Sequence, residues 1–109
     1  MAYEIYETET FSKLYEVMEK EEKSWIDKIK VQLKDNPNVG KPLRFEWFRE
    51  KKFGDKRLYY LIYNNINRVL LVSFGSKKEQ QKIIDYILEN KERYKKLIGR
   101  KLILPIMEK

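Results

Sequence analysis

The segment FGDKRLYYLIYNN (residues 53–65) joins a glycine turn, two cations and a nearly unbroken run of aromatic and aliphatic residues. Gly54 and Asp55 favour a tight turn, and the residues that follow them favour a β-strand. Side chains alternate between the two faces of a strand. The predicted core face holds Leu58, Tyr60 and Ile62, and the other face holds Arg57, Tyr59 and Tyr63. This second face predicts either an anion-binding surface or a solvated face whose tyrosines are simply strand formers.

Further strands are predicted on both sides of this segment. Residues 43–51 alternate in polarity, and residues 68–74 form an unbroken apolar run that is typical of a central strand buried on both faces. The asparagine-rich residues 64–67 are predicted to form the hairpin loop. At the start of the chain, residues 2–8 alternate and indicate a short strand.

Helices are predicted in the remaining parts of the chain. Thr10 is a candidate N-cap for a first helix, and Ser24 for a second helix that ends before Pro37. Ser76, with a glutamate three residues later, predicts the start of a last helix, for which Gly99 is the expected C-cap.

The predicted order is therefore β-α-α-β-β-β-α, an α+β fold in one domain over residues 1–98. The tail, residues 99–109, is predicted to add an edge strand at Leu102–Leu104.

Composition points to an anionic partner. The chain has 109 residues, and Lys and Arg outnumber Asp and Glu by 24 to 17, for a net charge of +7. Such a balance favours nucleic acid, a membrane surface or an acidic protein as partner, although a solvated Lys/Glu-rich surface is the alternative.

Cysteine and histidine are both absent. Disulfides, thiol catalysis and zinc–thiolate sites are thereby excluded, and neither a metal nor a cofactor is expected. No secretory signal or apolar run of membrane-spanning length is present, so we expect a cytoplasmic protein without membrane contact.

Two groups of cations are candidates for a functional site. If the strands pair across the glycine turn, Arg49, Lys51 and Arg57 are expected to converge, and such a cluster favours a bound anion. Lys77 and Lys78 fall on the first turn of the last helix, where a phosphate rather than a cation is the favoured neighbour.

Three segments, in this order and spacing, resemble the RelE/HigB superfamily of toxins from type II toxin–antitoxin modules. They are NPNVGKPLR (residues 36–44), FREKKFGDKRLYYLIY (residues 48–63) and VLLVSFGSKKEQQKII (residues 69–84). Family members carry a Pro- and Gly-rich loop, a basic strand, a glycine turn leading to arginine, and a strand that ends at a basic helix start. The segment FGSKKEQ (residues 74–80) is most similar to the HigB/Gp49-like branch.

This resemblance implies a small twisted antiparallel sheet with an N-terminal helical hairpin and a C-terminal helix. It implies a ribosome-dependent mRNA endonuclease that inhibits translation by metal-independent attack of the 2′-hydroxyl, with lysines as acid and base. The implied partners are a cognate antitoxin protein, the ribosome and mRNA, and operator DNA for the toxin–antitoxin complex.

The resemblance also implies roles for individual residues. The implied catalytic residues are Arg57, Lys51, Lys77 and Arg49. RNA contacts are expected from Lys78, Tyr59, Tyr63, Lys56 and Tyr86, although alternation places Lys56 across the sheet from Arg57, where solvent is its expected neighbour.

Two positions depart from the family pattern. Ile83 stands where RelE-type members carry a catalytic tyrosine, with Tyr86 nearby, and Glu50 interrupts the basic strand. Two alternatives therefore stay open: a ParE-like gyrase inhibitor of the same fold, and a non-catalytic RNA-binding or inactive toxin homologue.

Overall fold

The structure, a computed structural model, describes residues 2–99. In this range the chain forms one sheet with helices packed on both faces. The strands are β1 (Glu4–Glu7), β2 (Lys41–Pro42), β3 (Phe48–Phe53), β4 (Lys56–Tyr63) and β5 (Arg68–Ser76). The helices are α1 (Glu9–Glu16), α2 (Lys20–Asp35), α3 (Gln80–Glu89) and α4 (Lys91–Gly99), with short 3-10 turns at Pro37–Val39, Asn64–Ile66 and Lys77–Glu79.

The sheet has the strand order β1-β5-β4-β3-β2, and the predicted α+β class is confirmed. The apolar strand β5 lies between β1 and β4, which confirms its predicted central position. The expected antiparallel pairing is correct from β2 to β5 and wrong for β1, which pairs with β5 in parallel. Alternating polarity in the first strand says which residues are buried but not the direction of the neighbouring strand.

One face of the sheet packs against the helical hairpin α1–α2. Leu58, Tyr60 and Ile62 of β4 lie on this face, as the alternation predicted. From the helices, Phe11, Ile26, Ile29 and Leu33 complete the cluster, and each is at most 3% exposed. Removing this much apolar surface from water is the main stabilising contribution on this side.

The opposite face packs against α3 and α4. Tyr59 and Leu61 of β4 lie here with Leu70 and Val72 of β5, beneath Ile84, Ile87, Tyr94 and Ile98. The predicted anion-binding or solvated face is therefore wrong at Tyr59, since this residue is 0% exposed. A single last helix was predicted, but α3 ends at Glu89. The second helix, α4, begins after Asn90 and packs on the same face of the sheet.

The loop after α2 is fastened to the sheet by Tyr60. Its hydroxyl donates to the carbonyl oxygen of Pro37 at 2.7 Å and accepts from the backbone N–H of Gly40 at 2.9 Å. A Cβ at Gly40 would lie 2.6 Å from the Glu50 carbonyl oxygen, so the close approach requires glycine.

Two predicted helix starts are wrong, and one is confirmed. Thr8, rather than Thr10, caps α1, because it has extended backbone at the end of β1 and accepts from the Phe11 N–H at 3.0 Å. The start of α2 is capped by Glu19 together with Glu22, so Ser24 lies inside the helix. The capping box of Ser76 with Glu79 is present as predicted.

The predicted strand over residues 43–51 is correct only in its second half, because β3 begins at Phe48. Residues 43–47 form a tight loop in which the Leu43 N–H donates to the Phe48 carbonyl oxygen at 2.8 Å. The predicted edge strand at Leu102–Leu104 lies outside the described residues. Within residues 2–99, no helix is both long and apolar enough to span a membrane.

Candidate nucleic-acid interface

Strand register places Arg57 in the middle of a row at one end of the sheet. The tight turn at Gly54 pairs Phe53 with Lys56, so Arg57 lies opposite Lys52 on β3 and opposite Gly75 on β5. Directly opposed residues of antiparallel strands share a face of the sheet. Lys52 is exposed, and it therefore marks the solvent edge of this row.

Arg57 is almost completely buried and poorly hydrogen-bonded. Its side chain is 7% exposed, and its Nε lies 3.6 Å from Oε1 of Glu50, which is 4% exposed. Nη1 donates one long hydrogen bond, 3.4 Å, to the carbonyl oxygen of Asp55. Gln80, the first residue of α3, donates to the same Glu50 oxygen at 2.8 Å. The carboxylate is thus shared between Gln80 and Arg57, and Arg57 Nε has no hydrogen-bond partner.

The hydroxyl of Tyr59 is the second unsatisfied group in this cluster. It is buried and has no hydrogen-bond partner. Burial, followed by the negative charge of Glu50, raises the pKa of Tyr59 to about 12 despite the opposing charge of Arg57. The phenol therefore stays protonated at neutral pH. Unpaired buried polar groups are rare in native proteins, and a charged one in a cluster is a candidate for function.

Exposed lysines lie next to the Arg57 cluster. Lys77 and Lys78 are exposed on the 3-10 turn that follows β5. The backbone N–H of Lys77 donates to the Asp55 carbonyl oxygen at 2.9 Å and so fastens this turn to the β3–β4 turn. We call the exposed residues Lys52, Lys77 and Lys78 the basic rim. The strand pairing and the Lys77–Asp55 hydrogen bond place all three at the same end of the sheet, where their charges would stabilise an anion.

The predicted convergence of Arg49 and Lys51 with Arg57 is wrong. Arg49 is paired with Tyr60 and Lys51 with Leu58, so both lie on the face of the helical hairpin. The register that follows from the tight turn brings Lys52 to the Arg57 face instead. A shift of one residue moves every side chain to the opposite face.

Arg49 is a structural tie and not part of the basic rim. It is buried and donates to the carbonyl oxygens of Gly40 at 2.8 Å and Asn38 at 3.3 Å. It also donates to the carbonyl oxygen of Glu46 at 2.9 Å and to the Glu46 carboxylate at 2.6 Å. These bonds join the loop after α2 to the loop before β3.

The remaining predicted RNA contacts are dispersed. Lys56 lies on the hairpin face as alternation predicted, but its neighbour is Glu22, at 2.7 Å, rather than solvent alone. Tyr63 is half-buried at the far end of β4, where it lines a groove beside α4. Tyr86 is 55% exposed on α3.

Two residues of the site were missed at the level of sequence. Lys52 was overlooked because Arg49 and Lys51 were assigned to the face of Arg57, and Gln80 was seen only as part of a helix start. Glu50, besides interrupting the basic strand, is by sequence a candidate salt-bridge partner of its cations, and the structure pairs it with Arg57. The tight turn at Gly54 was the available signal. It determines which residues of β3 and β4 lie opposite each other, and so places Lys52 and Glu50 on the face of Arg57. Within the described part of the chain, no group of three or more acidic side chains is placed to hold a metal ion.

The chain matches no known family model by sequence, and no curated protein matches it. Its fold, however, matches solved structures. A mutant of the E. coli toxin RelE in the free state superposes with a TM-score of 0.66 at 19% identity, over 74% of this chain and 90% of that one. The toxin–antitoxin complex RelBE2 from Mycobacterium tuberculosis gives a TM-score of 0.61 at 22% identity, over 70% and 99%.

The likeness extends to archaea. The RelE–RelB complex from Pyrococcus horikoshii gives a TM-score of 0.59 at 12% identity, over 70% of this chain and 96% of that chain. The expected RelE-like fold is therefore confirmed. The closer likeness to the HigB branch stays a prediction.

Proposed function

We propose that this chain, which has the RelE toxin fold, is the toxin of a type II toxin–antitoxin pair and a ribosome-dependent mRNA endonuclease. The observation that carries the proposal is the position of an under-satisfied arginine, Arg57, next to the exposed basic rim. Guanidinium groups bind phosphates through paired hydrogen bonds, and Arg57 has donors available for them. The net charge of +7 also suits a polyanionic target.

The proposed reaction needs proton transfer and charge stabilisation. The ribose 2′-oxygen attacks the adjacent phosphorus, and the bond from phosphorus to the 5′-oxygen breaks, which leaves a 2′,3′-cyclic phosphate and a 5′-hydroxyl. Lys52 and Lys77 are the proposed proton carriers: one, neutral, takes the 2′-hydroxyl proton, and the other, protonated, supplies a proton to the leaving oxygen. Arg57 stabilises the negative charge that develops on the phosphate.

Glu50 and Gln80 control access to Arg57 in this proposal. Because Arg57 is 6% exposed, a phosphate reaches it only after Gln80 releases the Glu50 carboxylate. The phosphate then replaces Glu50 as the anionic partner of the guanidinium. Arg49 and Lys51 have no part in the proposed chemistry, because they lie on the opposite face of the sheet.

The burial of Arg57 and its pairing with Glu50 also favour a second candidate function, that of a non-catalytic RNA-binding homologue. If Glu50 holds Arg57 permanently, the basic rim binds RNA and no phosphate reaches the guanidinium. The two candidates differ in one observable, which is the presence of new RNA ends.

Inducible expression in E. coli tests the proposal. We expect growth arrest from the unmodified chain, and RNA sequencing should show new 5′-hydroxyl ends within ribosome-bound coding sequence. The double variant Lys52→Gln/Lys77→Gln should abolish arrest and cleavage, because both exposed rim lysines are neutralised. Lys28→Gln/Lys34→Gln is the matched control, since it removes the same charge from exposed positions of α2, and it should arrest growth as before.

Other outcomes identify the alternatives. Arrest without new RNA ends, together with salt-dependent RNA binding, identifies the non-catalytic homologue. Arrest with intact mRNA and a DNA-damage response identifies a gyrase inhibitor of the ParE kind. Unchanged arrest in the Lys52→Gln/Lys77→Gln variant contradicts a role for the basic rim.

A cognate antitoxin belongs to the same proposal. The structure from M. tuberculosis is a toxin–antitoxin complex, and the structure from P. horikoshii is a RelE–RelB complex. We expect an antitoxin with acidic segments, because these complement a basic surface. We also expect the complex to bind operator DNA, and the toxin to act in the cytoplasm, where the ribosomes are. Co-expression with the product of a neighbouring short gene should restore growth and yield a complex that co-purifies.

A further inference from the structure

A groove of about 390 Å³ opens beside α4, away from the basic rim. Its size falls in the range of about 300–1,000 Å³ that is typical of sites for small ligands. The groove lies between the end of β4, the 3-10 turn after it and the first turns of α4. Its lining residues are Trp47, Ile62, Tyr63, Asn64, Asn65, Lys91, Glu92 and Lys95. We call it the aromatic groove.

The indole of Trp47 is held in a fixed position in this groove. The Phe45 ring stacks on it with centroids 4.7 Å apart and an angle of 10° between the planes, and the Phe48 ring lies 6.3 Å away at an angle of 21°. The Trp47 carbonyl oxygen accepts from the Ile62 N–H at 2.8 Å. The loop that carries both rings is tied down by Arg49, which binds the carbonyl oxygen and the carboxylate of Glu46. The platform is therefore built before any ligand arrives, although Phe45 remains 41% exposed.

Polar groups surround this platform. Lys91 and Lys95 are exposed one turn apart on α4, and the Lys91 ammonium lies 5.9 Å from the centre of the Phe45 ring. Glu92 lies between them and offsets part of their charge. The exposed amide of Asn65 offers both a donor and an acceptor at the rim of the groove.

The phenol of Tyr63 is a neutral member of the lining. Burial raises its pKa above the ordinary range, and the neighbouring Tyr94 and Glu92 add to this shift. Tyr63 therefore presents a ring and a neutral hydroxyl at any physiological pH, not a phenolate that would repel phosphate.

We propose that the aromatic groove binds one unpaired nucleotide of a single-stranded RNA, with the base against the part of Trp47 that lines the groove and its phosphate between Lys91 and Lys95. A flat aromatic platform with adjacent cations is the combination that single-stranded nucleic acids require. An apolar peptide would fit less well, because it would offer no partner to the two lysines or to the Asn65 amide.

This inference rests on the proposed function for the choice of RNA, but it uses separate residues. Trp47 lies five residues before Lys52, which corresponds to about 17 Å along an extended chain. The aromatic groove and the basic rim are thus distinct contact points for one strand of RNA. The groove would position the strand, and the chemistry would remain at the rim.

Fluorescence of Trp47 reports on the groove directly. In a Trp25→Phe background Trp47 is the remaining tryptophan. We expect short single-stranded RNA to quench its emission, because a stacked base contacts the indole. In an anisotropy titration with labelled single-stranded RNA, Lys91→Gln/Lys95→Gln should weaken affinity about tenfold and lower the salt dependence by about 0.7 per cation removed. Trp47→Leu should weaken it about tenfold or more, through loss of stacking.

Matched controls separate a specific site from general charge. Lys28→Gln/Lys34→Gln removes the same charge from α2 and should change affinity less than about twofold, since neither side chain lines the groove. Equal loss of affinity in the two double variants would overturn the proposal. Equal quenching by double-stranded RNA or by a polyglutamate peptide would overturn it too, because neither offers an unpaired base.

Failure of this inference can be told apart from failure of the proposed function. Lys52→Gln/Lys77→Gln should lose growth arrest and retain quenching of Trp47. If the unmodified chain neither arrests growth nor cleaves RNA, the quenching experiment still decides whether the groove binds a nucleotide. If the chain cleaves RNA and Trp47 is not quenched, the groove inference is wrong and the endonuclease proposal stands.

Discussion

Arg49 and Arg57 lie on neighbouring strands and are both 6% exposed, yet their surroundings are opposite. Arg49 faces the helical hairpin and donates hydrogen bonds to three carbonyl oxygens and one carboxylate. Arg57 faces α3 and α4, has one hydrogen bond of 3.4 Å, and leaves its Nε without a partner.

The difference separates an arginine that holds the fold together from one that is available for a ligand. A buried cation is stable when each of its nitrogens has an acceptor, which is the situation of Arg49. The unused donors of Arg57 lower the stability of the fold. A buried cation with such donors is a candidate for binding an anion. Their exposure alone does not distinguish the two residues; their hydrogen bonds do.

The largest effect is expected from Arg49→Met. This variant should lower the free energy of unfolding by about 3 kcal/mol, because three backbone carbonyl oxygens lose their donor and two loops are released. Urea unfolding followed by tryptophan fluorescence measures the change. Lys51→Met is the control on the same face, and it should cost less than about 1 kcal/mol. Similar costs for the two variants would show that Arg49 is no structural tie.

Next in size is the effect of Arg57→Met. Alone it should cost about 2 kcal/mol, because the buried Glu50 carboxylate then keeps Gln80 but loses its cation. The double variant Glu50→Gln/Arg57→Met should recover most of this loss and come within about 1 kcal/mol of the unmodified chain.

The recovery is the decisive measurement for Arg57. A double-mutant cycle with Glu50→Gln gives the coupling energy between the two side chains. If the double variant is as unstable as Arg57→Met, then Arg57 contributes to the fold in its own right. The contrast with Arg49 would then be lost.

Sequence reasoning succeeded where one local pattern decides the structure. The alternation in residues 57–63 correctly assigned the side chains of β4 to two faces, and the apolar run of β5 correctly placed it at the centre of the sheet. The alternation was wrong only in leaving the face of Tyr59 without a core. The capping box at Ser76 was equally local and equally correct.

It failed where two segments have to be aligned with each other. Arg49, Lys51 and Lys52 are consecutive or nearly so, and only pairing with β4 decides which of them faces Arg57. The core that contains Tyr59 includes Tyr94 and Ile98 of α4, and no strong helix-breaking residue at Asn90 indicates that α4 separates from α3. Both errors concern tertiary pairing, which a single strand or helix pattern does not contain.

The ion pair of Glu22 with Lys56 adds a third case to the comparison of Arg49 with Arg57, because it is short but partly open to solvent. The hydrogen bond from Lys56, at 2.7 Å, lowers the pKa of Glu22 more than burial raises it. The same bond raises the pKa of Lys56. Replacing Glu22 by Gln keeps an acceptor for the α2 cap and should cost about 1 kcal/mol or less at neutral pH.

The pH dependence of this cost follows from the direction of the shifts. Glu22 contributes fully above its unfolded pKa of about 4.3, and the contribution is lost as pH falls through the lower folded value. At the alkaline end it is lost as pH rises beyond the raised pKa of Lys56. The difference between Glu22→Gln and the unmodified chain should therefore vanish in urea unfolding at strongly acidic pH. A difference that persists at strongly acidic pH would mean that the charge of Glu22 is not the source of its contribution to the stability of the fold.

The smallest effect is expected at Glu46, and it tests what holds Arg49. The Glu46 side chain is 85% exposed although it lies 2.6 Å from a guanidinium that is 8% exposed. An exposed carboxylate contributes little to such a pair, and Glu46→Gln keeps an oxygen acceptor, so we expect a loss of about 0.5 kcal/mol or less. Urea unfolding at low and high salt should give the same small difference. A loss near that of Arg49→Met, or one that disappears at high salt, would mean that Arg49 is held by charge, like Arg57, and not by the backbone carbonyl oxygens.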